Sequence, residues 1–210
     1  MTKITVTPAE FKLFAQYILE ISGIALDVGK EYLLETRLNP LLGKYGCNSY
    51  SELLKKAKLD FKKEIENDII DAISTNETYF FRDKSPFQLL QHKIFPDLID
   101  KRSKGLGKPT IRLWSAANST GQEIYSIAMT LLEMGVSPKD YNIRLFGTDI
   151  SDAAIAQASY GSYNKFEVAR GLDPMRLNKY FDPVDDRYKI KDELRAMAQF
   201  KKMNLMKPFV

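Results

Sequence analysis

The sequence is poor in the residues on which most hydrolytic and metal-dependent chemistry rests. Its 210 residues hold one cysteine, Cys47, and one histidine, His92. A single thiol builds neither a disulfide framework nor a cysteine-rich metal site. A single imidazole is too little for a His-based zinc centre and argues against a Ser-His-Asp triad. No apolar run approaches the roughly 20 residues needed to cross a bilayer, and the opening Met1-Thr2-Lys3-Ile4 lacks the apolar stretch of a secretory signal. Excess charge of one sign is also missing, since 31 Lys and Arg face 27 Asp and Glu for a net +4. Residues 1–75 carry 10 basic and 11 acidic side chains, and the remainder carries 21 and 16. Neither part reads as a nucleic-acid binder. At 44% hydrophobic and 28% charged, the chain is expected to be a cytosolic globular protein of one ordinary or two small domains, without membrane insertion.

The first 75 residues are patterned as a small helical unit. Thr7-Pro8-Ala9-Glu10 combines a capping threonine, a first-turn proline and a glutamate placed to close a capping box. Phe11, Phe14, Ala15, Ile18 and Leu19 then fall on one helix face up to Ser22-Gly23. The spacing predicts a second helix over 30–44 with Leu33, Leu34, Leu38, Leu41 and Leu42 inward, bent or interrupted at Pro40. It predicts a third from Ser49 to about Lys58, and a fourth over 60–74 with Phe61, Ile65, Ile69, Ile70 and Ile73 inward. The Lys55-Lys56-Lys58-Lys62-Lys63 group reads as a solvated face and Cys47 as a half-buried apolar filler. Beyond residue 85 the pattern changes. A helix at 86–101 and a turn-rich stretch at 103–109 precede an alternation of strand (111–114), helix (122–134), strand (143–146) and helix (152–159). That alternation argues a parallel α/β sheet. Residues 166–180 read as irregular helix, 188–190 as a short strand and 198–204 as another.

Three segments carry candidate chemistry. Ser115-Ala116-Ala117-Asn118-Ser119-Thr120-Gly121 joins a strand to a helix with small residues that let a ligand approach the backbone, at the carboxyl end of a parallel strand where open α/β sheets bind ligands. It lacks both the G-x-G-x-x-G pattern and a phosphate-binding lysine. Glu123 would repel a phosphate but suits an ammonium or a hydroxyl. Spacing alone also allows an ordinary tight turn. Asp149, in Gly147-Thr148-Asp149-Ile150-Ser151, ends the second strand, where an acid can grip two ribose hydroxyls or simply cap the next helix. Asn76-Glu77-Thr78-Tyr79-Phe80-Phe81-Arg82 places polar residues, aromatics and an arginine between the two parts of the chain, as a ligand cover or as core.

Taken in order, these segments, together with Tyr160-Gly161, Lys179-Tyr180-Phe181 and Asn204-Leu205, resemble the CheR family of chemotaxis-receptor glutamate methyltransferases over nearly the whole chain. The resemblance implies a small all-helical N-terminal receptor-docking domain (1–75), a linker contributing to the cofactor site (76–90) and a Rossmann-like class I methyltransferase domain (91–210) of the α/β class. It implies S-adenosylmethionine as cofactor, with S-adenosylhomocysteine as product, and methyl transfer to glutamates of a chemoreceptor's cytoplasmic domain in receptor arrays. Asn76, Thr78 and Arg82 match positions lining the cofactor and reaction centre, with Arg82 orienting the substrate carboxylate. Glu123 matches the acid at the cofactor's methionine end, Asp149 the ribose acid, Asn204 and Leu205 the pair flanking adenine, and Arg37 a basic position facing the receptor. Asn118 departs from the family, which often has a small residue or cysteine there. The chain also stops before a further strand of the family, so a truncated domain is expected, with an open sheet edge through which chains can associate. A non-catalytic cofactor- or receptor-binding module is the alternative.

Overall fold

The computed structural model describes residues 4–102 and 107–208, and the chain divides into two compact units. The first unit comprises Met1–Thr75, Ile150–Asp152 and Met203–Val210, and the second Asn76–Asp149 and Ala153–Lys202. Residues 76–90 therefore fold as part of the second unit.

The first unit contains four helices, α1 (Pro8–Ser22), α2 (Glu31–Lys44), α3 (Tyr50–Leu59) and α4 (Glu64–Ile73). Helix α1 begins at the Thr7 capping box, with Thr7 and Glu10 satisfying each other's backbone N–H groups, and ends at Gly23, whose φ of 77° closes it in the left-handed region. The core is drawn from all four helices: Phe14, Ile18, Leu34, Leu38, Tyr50, Leu53 and Ile69 are fully buried. Each such apolar side chain contributes about 1.5–3 kcal/mol by leaving water.

Several expectations are corrected here. Helix α2 runs through Pro40 without ending. Leu19 is 45% exposed and not part of the buried face. Phe61, expected inward, is 98% exposed, because the fourth helix starts only at Glu64. Asp60 turns the chain instead: its carboxylate accepts from the Lys62 and Ile65 N–H groups, and Lys63 adopts φ 63°. Cys47 is buried, not half-buried.

The second unit opens with α5 (Lys84–Leu89), a π-turn at Leu90–Ile94 and α6 (Phe95–Arg102). The widened turn has a local cause. The Phe95 N–H bonds the Leu90 carbonyl in place of that of Gln91, and Pro96, directly after it, has no N–H to give the carbonyl of His92. Of the turn-rich stretch expected at 103–109, residues 103–106 lie outside the described residues.

Strands β1 (Thr110–Ala116) and β2 (Asn142–Asp149) pair in parallel, joined by α7 (Gln122–Glu133). Helix α8 (Asp152–Tyr160) follows β2. Helix α7 is buried nearly all round, and its polar residues are satisfied locally: Ser126 and Thr130 donate to carbonyls one turn back, and the Tyr125 hydroxyl donates to the Ala158 carbonyl.

A strand reading of 162–164 was absent from the sequence pattern, yet β3 (Ser162–Asn164) forms there. The expected irregular helix over 166–180 is two helices, α9 (Lys165–Ala169) and α10 (Pro174–Tyr180), parted at Gly171 with φ 95°. After them β4 (Phe181–Val184), which was also not expected, pairs with β5 (Arg187–Ile190) across a two-residue turn at Asp185-Asp186. A short helix, α11 (Asp192–Arg195), leads to β6 (Ala198–Lys202), which ends before Asn204 and not at it.

Two sheets result, a parallel one of order β1-β2-β6 and an antiparallel one of order β3-β5-β4. The fold class is therefore an all-helical domain followed by an α/β domain with a parallel sheet.

Candidate cofactor site

The strand ends and the loop after β1 form the site. In the register of the sheet Ala116 lies opposite Thr148, so Ala117 to Gly121 and Asp149 emerge together at the carboxyl ends of neighbouring parallel strands. The loop is tightly coiled, with Ala117, Ser119 and Gly121 all in the left-handed region (φ 57°, 54° and 96°). Its turns are held from β2. The Asn118 N–H donates to the Thr148 carbonyl at 2.8 Å and the Ser119 N–H to Asp149 Oδ2 at 2.7 Å.

Gly147 makes room for this arrangement, since a Cβ there would lie 2.7 Å from the Phe200 ring and 2.9 Å from Asn118 Cγ. Trp114 closes the strand end by donating its Nε1–H to Thr148 Oγ1 at 2.9 Å. Asn118, the departure from the family pattern, is buried. Its amide nitrogen donates to the Ser119 carbonyl, while its Oδ1 has no hydrogen-bond partner among the described residues.

The predicted residues fall into three places. Asn76 joins the loop, because the Ser119 hydroxyl lies 3.3 Å from the Asn76 carbonyl and 3.4 Å from its Oδ1. Asn76, Ser119 and Asp149 thus form one hydrogen-bonded chain. Asn76 and Thr78 share a cavity wall with Thr120 and Gln122.

Glu123, in the first turn of α7, is fixed by the Ser115 hydroxyl, which donates to its Oε1 at 2.7 Å. Arg82 and Glu123 line one cavity of about 530 Å³ whose remaining wall includes Trp114, Phe87, Leu90 and Ile127. The backbone before Arg82 is pinned by Phe80, fully buried and edge-on to Tyr163 and Phe181, and by the Phe81 N–H, which donates to Ser126 Oγ at 3.0 Å. Phe80 is core of this unit, and Phe81, half-buried, adopts φ 52°.

Asn204, Leu205 and Arg37 lie in the first unit. Asn204 Nδ2 donates to the Ile21 carbonyl at 2.8 Å, its Oδ1 accepts from the Met206 N–H, and Leu205 is 48% exposed. Arg37 donates to the Ile73 and Ser74 carbonyls (2.5 and 3.1 Å) and to Thr75 Oγ1, so its guanidinium caps the carboxyl end of α4.

Ser126, Arg170 and Gly171 carry no signal in the sequence. Ser126 acts through a hydrogen bond to the Phe81 N–H that no spacing reveals, and a Cβ on Gly171 would meet the Phe80 carbonyl.

The residues present fit an adenosyl cofactor with a positive charge. The loop and the end of β2 offer two carboxylates and a buried amide oxygen without a hydrogen-bond partner among the described residues, and the loop itself holds no lysine, although Lys201 and Lys202 lie opposite Thr148 and Asp149 at the end of β6. Such a set of acceptors takes hydrogen bonds from ammonium and hydroxyl groups, and its carboxylates repel polyphosphate. A parallel sheet bearing that edge defines an α/β domain for a cationic, hydroxyl-rich ligand.

The chain belongs to the CheR methyltransferase family. The model for the CheR methyltransferase all-alpha domain matches residues 9–74, and that for the CheR methyltransferase SAM binding domain matches residues 76–210. The methyl donor of that domain is S-adenosylmethionine. Among similar proteins, chemotaxis protein methyltransferase 1 of Vibrio cholerae is 35% identical over 100% of this chain and 75% of its own length. The chemotaxis protein methyltransferase of Vibrio parahaemolyticus is 37% identical over 98% of this chain and 74% of its own. Chemotaxis protein methyltransferase 1 of Pseudomonas aeruginosa is 34% identical over 94% and 72%.

Proposed function

We propose that the protein transfers a methyl group from S-adenosylmethionine to glutamate side chains in the cytoplasmic domain of a chemoreceptor, leaving glutamyl methyl esters and S-adenosylhomocysteine. Relatives named as chemotaxis methyltransferases support the process. The observation that carries the site is the hydrogen-bonded chain Asn76–Ser119–Asp149, with Arg82 and Glu123 on one cavity.

In this reading Asp149 accepts from the ribose hydroxyls and Glu123 from the methionyl ammonium. Asn76 and Thr78 wall the cofactor, and Asn204 with Leu205 flanks the adenine. When bound, the cofactor supplies an electrophilic methyl on a cationic sulfur. The attacking carboxylate is already an anion, so no residue has to remove a proton, which suits a site without histidine. Anion and cation give neutral products, so the reaction gains from orientation and from exclusion of water. Arg82, 52% exposed at its side chain, orients the carboxylate with its planar fork. Trp114, Phe87, Leu90 and Ile127 give the cavity an apolar wall. The helical domain, in which Arg37 holds the end of α4, is assigned to receptor docking, and the protein to the cytoplasmic receptor arrays.

The test is transfer of labelled methyl groups to receptor-bearing membranes. Arg82→Lys keeps the charge and loses the fork, and its rate is expected to fall roughly tenfold or more with the melting temperature unchanged, as for a positioning defect. Wild-type turnover in that variant would overturn the role of Arg82. Absence of any labelled glutamate ester with the unaltered protein would overturn the reading.

A further inference from the structure

Two arginines of the second unit converge on one tyrosine. The guanidinium carbon of Arg170 lies 4.3 Å from the Tyr79 ring centroid and that of Arg82 lies 5.9 Å from it. Both also reach Glu77, at different atoms. Arg170 Nη2 donates to the carboxylate Oε1 at 2.8 Å, whereas Arg82 Nη1 donates to the main-chain carbonyl at 2.8 Å. The carboxylate of Glu77 and the guanidinium of Arg82 are therefore neighbours that are not paired in this arrangement. The hydrogen bond from Arg170, then the charge of Arg170 and lastly that of Arg82 hold the Glu77 carboxyl below its ordinary range, so it remains an anion available to either arginine. The other acid beside Arg82, Asp83, is 3.9 Å away and points largely into solvent.

What places Arg170 is the next residue. Gly171 has φ 95°, and a Cβ on it would sit 1.8 Å from the Phe80 carbonyl oxygen. Only glycine lets the 170–171 backbone lie against Tyr79-Phe80. Phe80 is itself locked in the core against Tyr163 and Phe181 at 5.0 and 5.5 Å between ring centroids. The distance between Arg170 and Glu77 is thus set by backbone packing, although both side chains are substantially exposed.

We propose that Arg170 is a positioning residue for Arg82: by holding the Glu77 carboxylate it keeps that carboxylate from capturing Arg82, whose guanidinium then meets the carboxylate of the substrate. The inference rests on the assignment of Arg82 to the substrate carboxylate made above. A captured Arg82 would have to exchange an intramolecular carboxylate for an incoming one. Because the pair would be solvent-exposed, the competition is worth a factor of about three to five in apparent affinity, within the range of exposed ion pairs.

The experiment compares the full chain with Arg170→Ala, Glu77→Gln and the double variant. In the free protein, the rate at which Arg82 reacts with an arginine-selective dicarbonyl reagent, hydroxyphenylglyoxal, is followed by peptide mass spectrometry. Arg170→Ala is expected to slow labelling of Arg82 about three- to fivefold, and Glu77→Gln in the same chain to restore it. With receptor-bearing membranes, KM is expected to rise by about the same factor in Arg170→Ala and to return in the double variant, kcat staying within about twofold. A merely structural loss of the stack on Tyr79 would not be rescued by Glu77→Gln. Unchanged labelling in Arg170→Ala, or slowed labelling that Glu77→Gln fails to restore, overturns the proposal. Slowed and restored labelling with an unmoved KM overturns the assignment of Arg82 to the substrate, and the proposal with it.

Discussion

Asp149 shows how one residue serves both structure and ligand. It is buried at the end of β2, and its Oδ2 accepts the Ser119 N–H that sets the turn of the loop. Replacing it by alanine would strand that donor, so the informative variant is Asp149→Asn, which keeps an oxygen and removes the charge. Hydrogen bonds to a charged acceptor contribute about 1.5–3 kcal/mol against about 0.5–1.5 for neutral pairs. Asp149→Asn is therefore expected to weaken S-adenosylhomocysteine about tenfold by calorimetry, with a cooperative unfolding transition retained. Equal affinity in the two proteins would remove Asp149 from the ribose. Arg37 illustrates the opposite case. Its charge on a leucine-faced helix suggests an outward role, yet three hydrogen bonds to residues 73–75 occupy its guanidinium, partners about 36 residues away that no local pattern reveals.

At the scale of elements, the site is made by the crossing of β2 and the loop after β1, and the tightest point is Gly147. Alanine there would push its methyl into the Phe200 ring and Asn118. One of them must shift, and overpacking of this kind costs about 1–3 kcal/mol. Gly147→Ala is expected to lower unfolding stability by that amount in urea and to weaken S-adenosylhomocysteine, since Asn118 sits in the loop itself. A variant as stable as the parent would show that the loop yields without cost. The helices tell a complementary story. The helix α1 is legible because its cap, its proline and its apolar face all lie within a few residues of one another. The start of α4 is not, because Asp60 can begin a helix or close a turn, and Ile65 burial at 9% with Phe61 left in solvent selects the turn.

For the molecule as a whole, the parallel sheet has β2 at its centre and β1 at one edge among the described residues. Strand β1 is seven residues long and holds no proline, with Arg112 exposed and Trp114 48% exposed along it. An edge strand of this length is a surface on which another strand can add. The expected outcome is concentration-dependent association by light scattering, with the mass rising above the 24.1 kDa of one chain. A constant mass of one chain across the concentration range would overturn it. No helix among the described residues is long and apolar enough to cross a membrane.

The sequence by itself determined the features whose causes are local or periodic. The apolar spacing of the four helices, the Thr7 cap, the alternation of β1, α7 and β2, and the segments that name the family all depend on residues within one or two turns of each other. Only the tertiary structure decided the rest. The three-residue strand β3 gains its hydrogen bonds from β5, with Tyr163 opposite Tyr188, while the four-residue β4 is fixed by its pairing with β5 across the adjacent turn. Ser119 becomes a bridge because Asn76 and Asp149, 43 and 30 residues away, meet on it. Arg170 finds Glu77 across 93 residues because Gly171 admits the Phe80 carbonyl. Hydrogen bonds and close packing are satisfied by whichever groups the fold brings within about 3 Å, and separation along the chain carries no record of that.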